Sequence, residues 1–115
     1  MTGVQTCALP ISQGNILAGP AVVANMVDAF EKTAKTSDGR PNHISYRLLM
    51  ALEAGRDAGG DTRGQQSAAM IVVKKDGGVW LHNDVVLRLQ VDDNPEPIKE
   101  LRRLVDLAAR QRSRR

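Results

Sequence analysis

Large aromatic side chains are scarce in this sequence: Phe30, Tyr46 and Trp80 are the only ones, 3% of 115 residues. Single-stranded nucleic acid and RNA loops are held by bases stacked on aromatic rings, so a nucleic-acid reader is not expected. Cys7 is the single cysteine, which excludes an intrachain disulfide and a cysteine-based zinc cluster. No apolar run approaches the ~20 residues that a helix needs to cross a bilayer, and no membrane association is expected. Residues 1–11 carry no Lys or Arg, so they make a poor secretory signal. A cytoplasmic, reducing environment is the default, with neither cofactor nor metal anticipated.

The first dozen residues lack more than basic charge. Residues 1–11 have no acidic side chain either, and they follow neither a helical nor a strand period. From Thr2 to Ile11 they resemble the translation of a common sequencing-library adapter. Residues 1–12 are therefore set apart as a non-native segment and excluded from fold reasoning. Cys7, otherwise a candidate nucleophile, goes with them.

What remains is a sequence with 42% apolar and 25% charged residues, enough for one small domain with a core and a solvated surface. The domain is placed at residues 13–109. The net charge of +3 gathers at the C-terminus, where Arg110, Arg112, Arg114 and Arg115 form a basic tail at 110–115. No basic motif recurs upstream, so the tail reads as a solvated helix end whose cations complement the helix dipole.

A short strand at residues 13–17 is expected before the Gly19-Pro20 break. Val22, Val23, Met26, Val27 and Phe30 then recur at helical spacing, predicting a helix to about Lys35. A polar loop follows. Ile44, Leu48, Leu49 and Leu52 mark a second helix that ends at Gly59-Gly60, residues suited to a left-handed cap. His43 stands at its start as a capping side chain.

The apolar run at residues 68–73 predicts a strand buried on both faces. Lys75-Asp76-Gly77-Gly78 supplies a hairpin turn, and Val79, Trp80 and Leu81 begin the return. Val85, Leu87, Leu89 and Val91 alternate with polar or smaller neighbours as a half-buried strand. Asp92-Asp93-Asn94-Pro95 offers capping carboxylates for a last helix. Ile98, Leu101, Leu104, Val105 and Ala108 face inward on it, with Glu100–Arg103 and Asp106–Arg110 pairs outside.

The glycine-rich loop at residues 59–67 is the most informative segment. It lacks Walker spacing and runs into a strand rather than a helix, which argues against nucleotide binding. Asp92-Asp93 lacks calcium-loop spacing. Ser67, His82 and Asp84 supply the residue types of a hydrolytic triad without a nucleophile elbow around Ser67.

Four stretches carry a resemblance to a known family: residues 13–20; Leu52-Glu53-Ala54-Gly55; Ala58-Gly59-Gly60-Asp61 with Arg63-Gly64-Gln65-Gln66-Ser67; and Leu89-Gln90-Val91-Asp92-Asp93 with Pro95, Pro97 and residues 100–104. From Gln13 to about Leu107 the chain resembles an uncharacterised bacterial domain-of-unknown-function family of the N-terminal-nucleophile (Ntn) hydrolase superfamily. The resemblance implies an α+β fold, the C-terminal half of a four-layer αββα sandwich. It also implies an amidohydrolase or peptidase-like parent, in which an N-terminal Thr, Ser or Cys attacks an amide and its own α-amine takes the proton.

Thr2 does not fill that role, because residues 3–11 lack strand alternation. The nucleophile-bearing half is expected to be absent and the chain inactive as it stands, leaving no catalytic nucleophile to name. By analogy with proteasome-type members, Asp61 and Ser67 would be auxiliary residues that orient the nucleophile's amine, and Arg63 would pair Asp61 or meet an acidic substrate. The partner is then a small-molecule or peptide substrate of the parent, with a homo-oligomer covering the open sheet edge. The alternative is a non-catalytic binding or assembly module on the same fold.

Overall fold

The computed structural model describes residues 9–78 and 83–113. Thr2, Cys7, the expected hairpin return at Val79, Trp80 and Leu81, His82, Arg114 and Arg115 lie outside them. The fold is α+β. Helices α1 (Ala21–Lys32) and α2 (Ile44–Asp57) precede strands β1 (Ala68–Val73) and β2 (Val85–Val91), and helix α3 (Pro97–Ser113) closes the order. The strands form a two-stranded antiparallel sheet, pairing Ala68 with Val91 and Met70 with Leu89 before the register shifts between Val72 and Val73.

The core lies between α2, α3 and one face of the sheet. Leu49, Met70, Val91, Leu101 and Val105 are buried, with Leu48, Leu52, Leu87, Leu89, Ile98 and Leu104 packed around them. The inward stripe expected of the last helix is the observed one, and the alternation of β2 places Leu87, Leu89 and Val91 toward the core.

Strand β1 departs from expectation. Met70 is buried, but Ile71 is 56% and Val73 61% exposed. Helices cover one face of the sheet among the described residues, so the run alternates in burial despite being apolar throughout. The leading strand at residues 13–17 is also reduced, to a single bridge between Leu17 and Asp61. Ile16 has a left-handed φ of 56°, which breaks the extended geometry that a ladder needs.

Helix boundaries have local causes. α1 stops at Lys32, short of Lys35, because side chains take its last carbonyls. Thr33 Oγ1 donates to Ala29 O (2.7 Å), and Arg47 donates through Nε and Nη2 to Phe30 O (3.1 and 2.8 Å). The Arg47 guanidinium also lies 3.9 Å from the Phe30 ring centroid, a cation–π contact fixing α2 against α1. α2 is capped by His43, whose Nδ1 accepts from Ser45 N (3.2 Å). α3 begins at Pro97, not at the aspartates. Asn94 Oδ1 accepts from Glu96 N (2.8 Å) and turns the chain in, whereas Asp92 accepts from Gln90 Nε2 (3.1 Å).

Polar pairs join α2 to α3. Arg102 donates to both oxygens of Glu53 at 2.7 Å, and Tyr46 Oη donates to Asp106 Oδ1 at 2.6 Å. Asp106 thus serves Tyr46 rather than the Arg110 pairing expected along the helix, while Glu100–Arg103 forms. Burial, then the bond to Asp106, pushes the Tyr46 phenol above its usual value.

Glu53→Ala is expected to lower stability by about 1 kcal/mol, below the usual range for charged hydrogen bonds. The Arg102 side chain remains 39% exposed, so solvent screens part of the interaction. Urea unfolding should show the loss shrinking in 1 M salt; a salt-independent loss would assign it to packing instead.

Candidate functional site

The glycine loop is positioned by the end of α2. Gly60 N donates to Gly55 O (2.9 Å) and Gly59 N to Arg56 O (3.0 Å), the paired bonds of a Schellman cap. Gly59 has φ 115° and Gly60 φ 54°, so the expected left-handed exit is present. The chain then runs beside residues 16–18. Ala18 N donates to Gly60 O (2.8 Å), and Thr62 N to Ile16 O (3.0 Å). At its far end Gln66 O accepts from Asn94 N (2.9 Å), tying the loop to the turn before α3.

Asp61 and Arg63 meet directly. Arg63 N and Nε donate to Asp61 Oδ1 at 2.7 and 3.0 Å, and Nη2 donates to Oδ2 at 2.6 Å. The Arg63 side chain, then its backbone N–H, holds the Asp61 carboxyl down at about 2. Asp61 is therefore a fixed negative acceptor at neutral pH and not a proton shuttle. Three of a carboxylate's roughly four acceptor positions are occupied, which leaves room for one more donor.

The Asp61 carboxyl is expected to titrate near 2 by NMR, and Arg63→Gln to move its midpoint up toward the ordinary ~4. A depressed folded-state value stabilises the native loop fully above the unfolded value, and the contribution is lost as pH falls from about 4 through about 2. A wild-type midpoint near 4 would mean that the pair does not form in solution.

Asp61, Arg63 and Ser67 line one open cleft of about 850 Å³. Ser67 is exposed and makes no hydrogen bond to Asp61 among the described residues. The structure thus joins Asp61 to Arg63 and leaves Ser67 on the same wall without contact. Asp84 accepts from Asp76 N (3.0 Å) in the hairpin, and His82 lies outside the described residues.

Cleft residues that the sequence does not nominate for a site are Gln13, Arg56 and Asn94. They come from separate elements, so no local spacing unites them. Arg56 and Asn94 lie outside the four resembling stretches, although each stretch contributes to the lining. Leu17, Gly55, Asp61 and Pro95 are one example from each.

Among the described residues one Ser–His pair is in contact: Ser45 Oγ lies 2.7 Å from His43 Nδ1. Ser45 is fully buried and the pair caps a helix. Burial, helped by the Arg112 cation, keeps the imidazole below its usual value and so suited to accept. This is structural capping and not an accessible nucleophile.

Among the described residues no helix is long and apolar enough to cross a membrane. No curated protein and no solved structure matches the chain. A family model described as a family of unknown function, DUF1028, matches residues 1–101. That match spans the glycine loop, the Asp61–Arg63 pair and every element before the body of α3, and the chain belongs to the DUF1028 family.

Proposed function

We propose that this domain supplies the orienting half of an Ntn-type site that cleaves an amide bond in a small molecule or peptide. The supporting observation is convergence: stretches spread from Gln13 to Pro95 line one cleft around a carboxylate held ionised by Arg63. The nucleophile, an N-terminal Thr, Ser or Cys, lies outside residues 9–113 in this scheme. The remaining acceptor position of Asp61 takes a hydrogen bond from its α-amine, and the Ser67 hydroxyl lines the same cleft. The amine then takes the proton of the hydroxyl or thiol as that group attacks the amide carbon, and passes it to the leaving amine as the C–N bond breaks; water hydrolyses the resulting acyl intermediate and restores the nucleophile.

The test uses a longer DUF1028 protein: an amide-directed acylating probe should add to its mature N-terminal residue, seen as a mass shift. The residue equivalent to Asp61, changed to alanine, should slow that addition without unfolding the protein. A mature N-terminus without Thr, Ser or Cys, or one that never acylates, ends the hydrolytic scheme. The second reading, a binding module without chemistry, is favoured by the lack of an accessible nucleophile–base pair among the described residues.

A further inference from the structure

We infer that the cleft receives a ligand presenting a carboxylate beside an amide, with the carboxylate seated on the terminal edge of the Arg63 guanidinium. A guanidinium has five N–H donors in a rigid plane. Arg63 gives its Nε proton and one Nη2 proton to Asp61. Both Nη1 protons and the second Nη2 proton have no acceptor among the described residues. The terminal edge, formed by Nη1 and Nη2, therefore presents two parallel donors, the spacing that a planar carboxylate fits bidentately.

Asp61 fixes the orientation of that edge through the side-on pair, while the Arg63 side chain stays 66% exposed and lines the cleft. Arg56 brings a second guanidinium to the same cleft, held through one nitrogen. Its Nε donates to Asp57 Oδ1 at 3.0 Å, its side chain is 33% exposed, and its terminal edge is uncommitted among the described residues.

The charges select the ligand further. The ionisable side chains lining the cleft are Arg56, Asp61, Arg63 and Asp93, two cations against two carboxylates. With no net positive field, attraction is short-range and directional, which suits a monoanion with two coplanar oxygens and disfavours a phosphate dianion. Gln13, Gln65, Gln66 and Asn94 supply amide donors and acceptors, while Leu17, Met26 and Ile98 supply an apolar wall. An acylated amino acid offers all three features: carboxylate, amide and apolar side chain. The inference goes beyond the hydrolytic scheme, since a binding module would use the same contacts.

The test titrates the ¹⁵N-labelled chain with N-acetyl-leucine, its methyl ester and inorganic phosphate, following the Arg63 Nε–H and the Gly64 amide. The acid is expected to shift both, and the ester to bind at least about tenfold more weakly, as loss of a charged bidentate contact requires. Arg63→Lys should weaken acid binding by about tenfold, because an ammonium keeps the charge but not the fork. Arg56→Gln should weaken it by about two- to threefold while leaving the Asp61–Arg63 pair intact.

Equal binding of acid and ester, tighter binding of phosphate, or no shift at all would each overturn the inference. The acid–ester comparison needs no variant, so an unfolded mutant does not blunt it. Binding without turnover in a longer family protein would remove the hydrolytic scheme and leave the carboxylate site standing.

Discussion

Leu101→Ala is expected to destabilise the domain by about 2–5 kcal/mol, the range for leucine truncation in a packed core. Leu101 has no exposed surface and sits with Leu49, Val105, Met70 and Val91 where α2, α3 and the sheet meet. Five buried side chains form this core, so a cavity at Leu101 removes a large share of its packing. With a urea dependence of about 1–3 kcal/mol per molar for a small protein, the midpoint should fall by at least about 0.7 M. Leu107, on the same helix but 37% exposed, provides the control: Leu107→Ala should cost about 0.5 kcal/mol or less. Equal losses at the two positions would show that helix propensity, not burial, governs the stability of α3.

That contrast was readable before any coordinates, because a helix repeats its core face every three or four residues. Ile98, Leu101, Leu104 and Val105 could be placed on that face from spacing alone, and the observed burial agrees. The exit of α2 was legible for a different reason, since Gly59-Gly60 supplies the backbone conformations that a Schellman cap demands. An apolar run such as β1 carries no comparable directional signal. Whether Ile71 and Val73 are covered depends on what packs against the sheet, and periodicity does not contain that.

Pairings across long separations were equally hidden. Asp106 looked available to Arg110 one turn away, yet Tyr46, sixty residues distant, takes it. Local spacing could nominate a neighbour but could not weigh it against a partner delivered by the packing of α2 on α3. The site divides along the same line. Asp61, Arg63 and Ser67 share a loop whose composition drew attention, whereas Arg56 and Asn94 reach the cleft only after folding. Family membership rests on the match across residues 1–101.

Gly59→Ala should detach the candidate site from the rest of the domain without dissolving the core. At φ 115° an alanine is strained, at a cost of about 1–3 kcal/mol. Its Cβ would also lie 2.7 Å from Ala18 Cβ. Ala18 Cβ is fixed to its backbone and cannot swing aside, so residues 16–18 and the loop must move apart. The amides of Ala18 and Thr62, which bond to Gly60 O and Ile16 O, should then exchange with solvent rapidly, while those within α3 stay protected.

Gly60→Ala separates strain from crowding. Its φ of 54° is an ordinary left-handed value, and the nearest contact to an added Cβ is 3.6 Å. It should therefore cost only about 1 kcal/mol and leave both amides protected. Because Arg63 and Asp61 are two residues apart, their pair should survive in Gly59→Ala and keep the carboxyl low, even with the cleft wall displaced. A Gly59→Ala protein whose Ala18 and Thr62 amides remain as slow as wild type would show that the loop does not depend on this close approach. The cleft would then owe its shape to the Gln66–Asn94 tie at the other end of the loop.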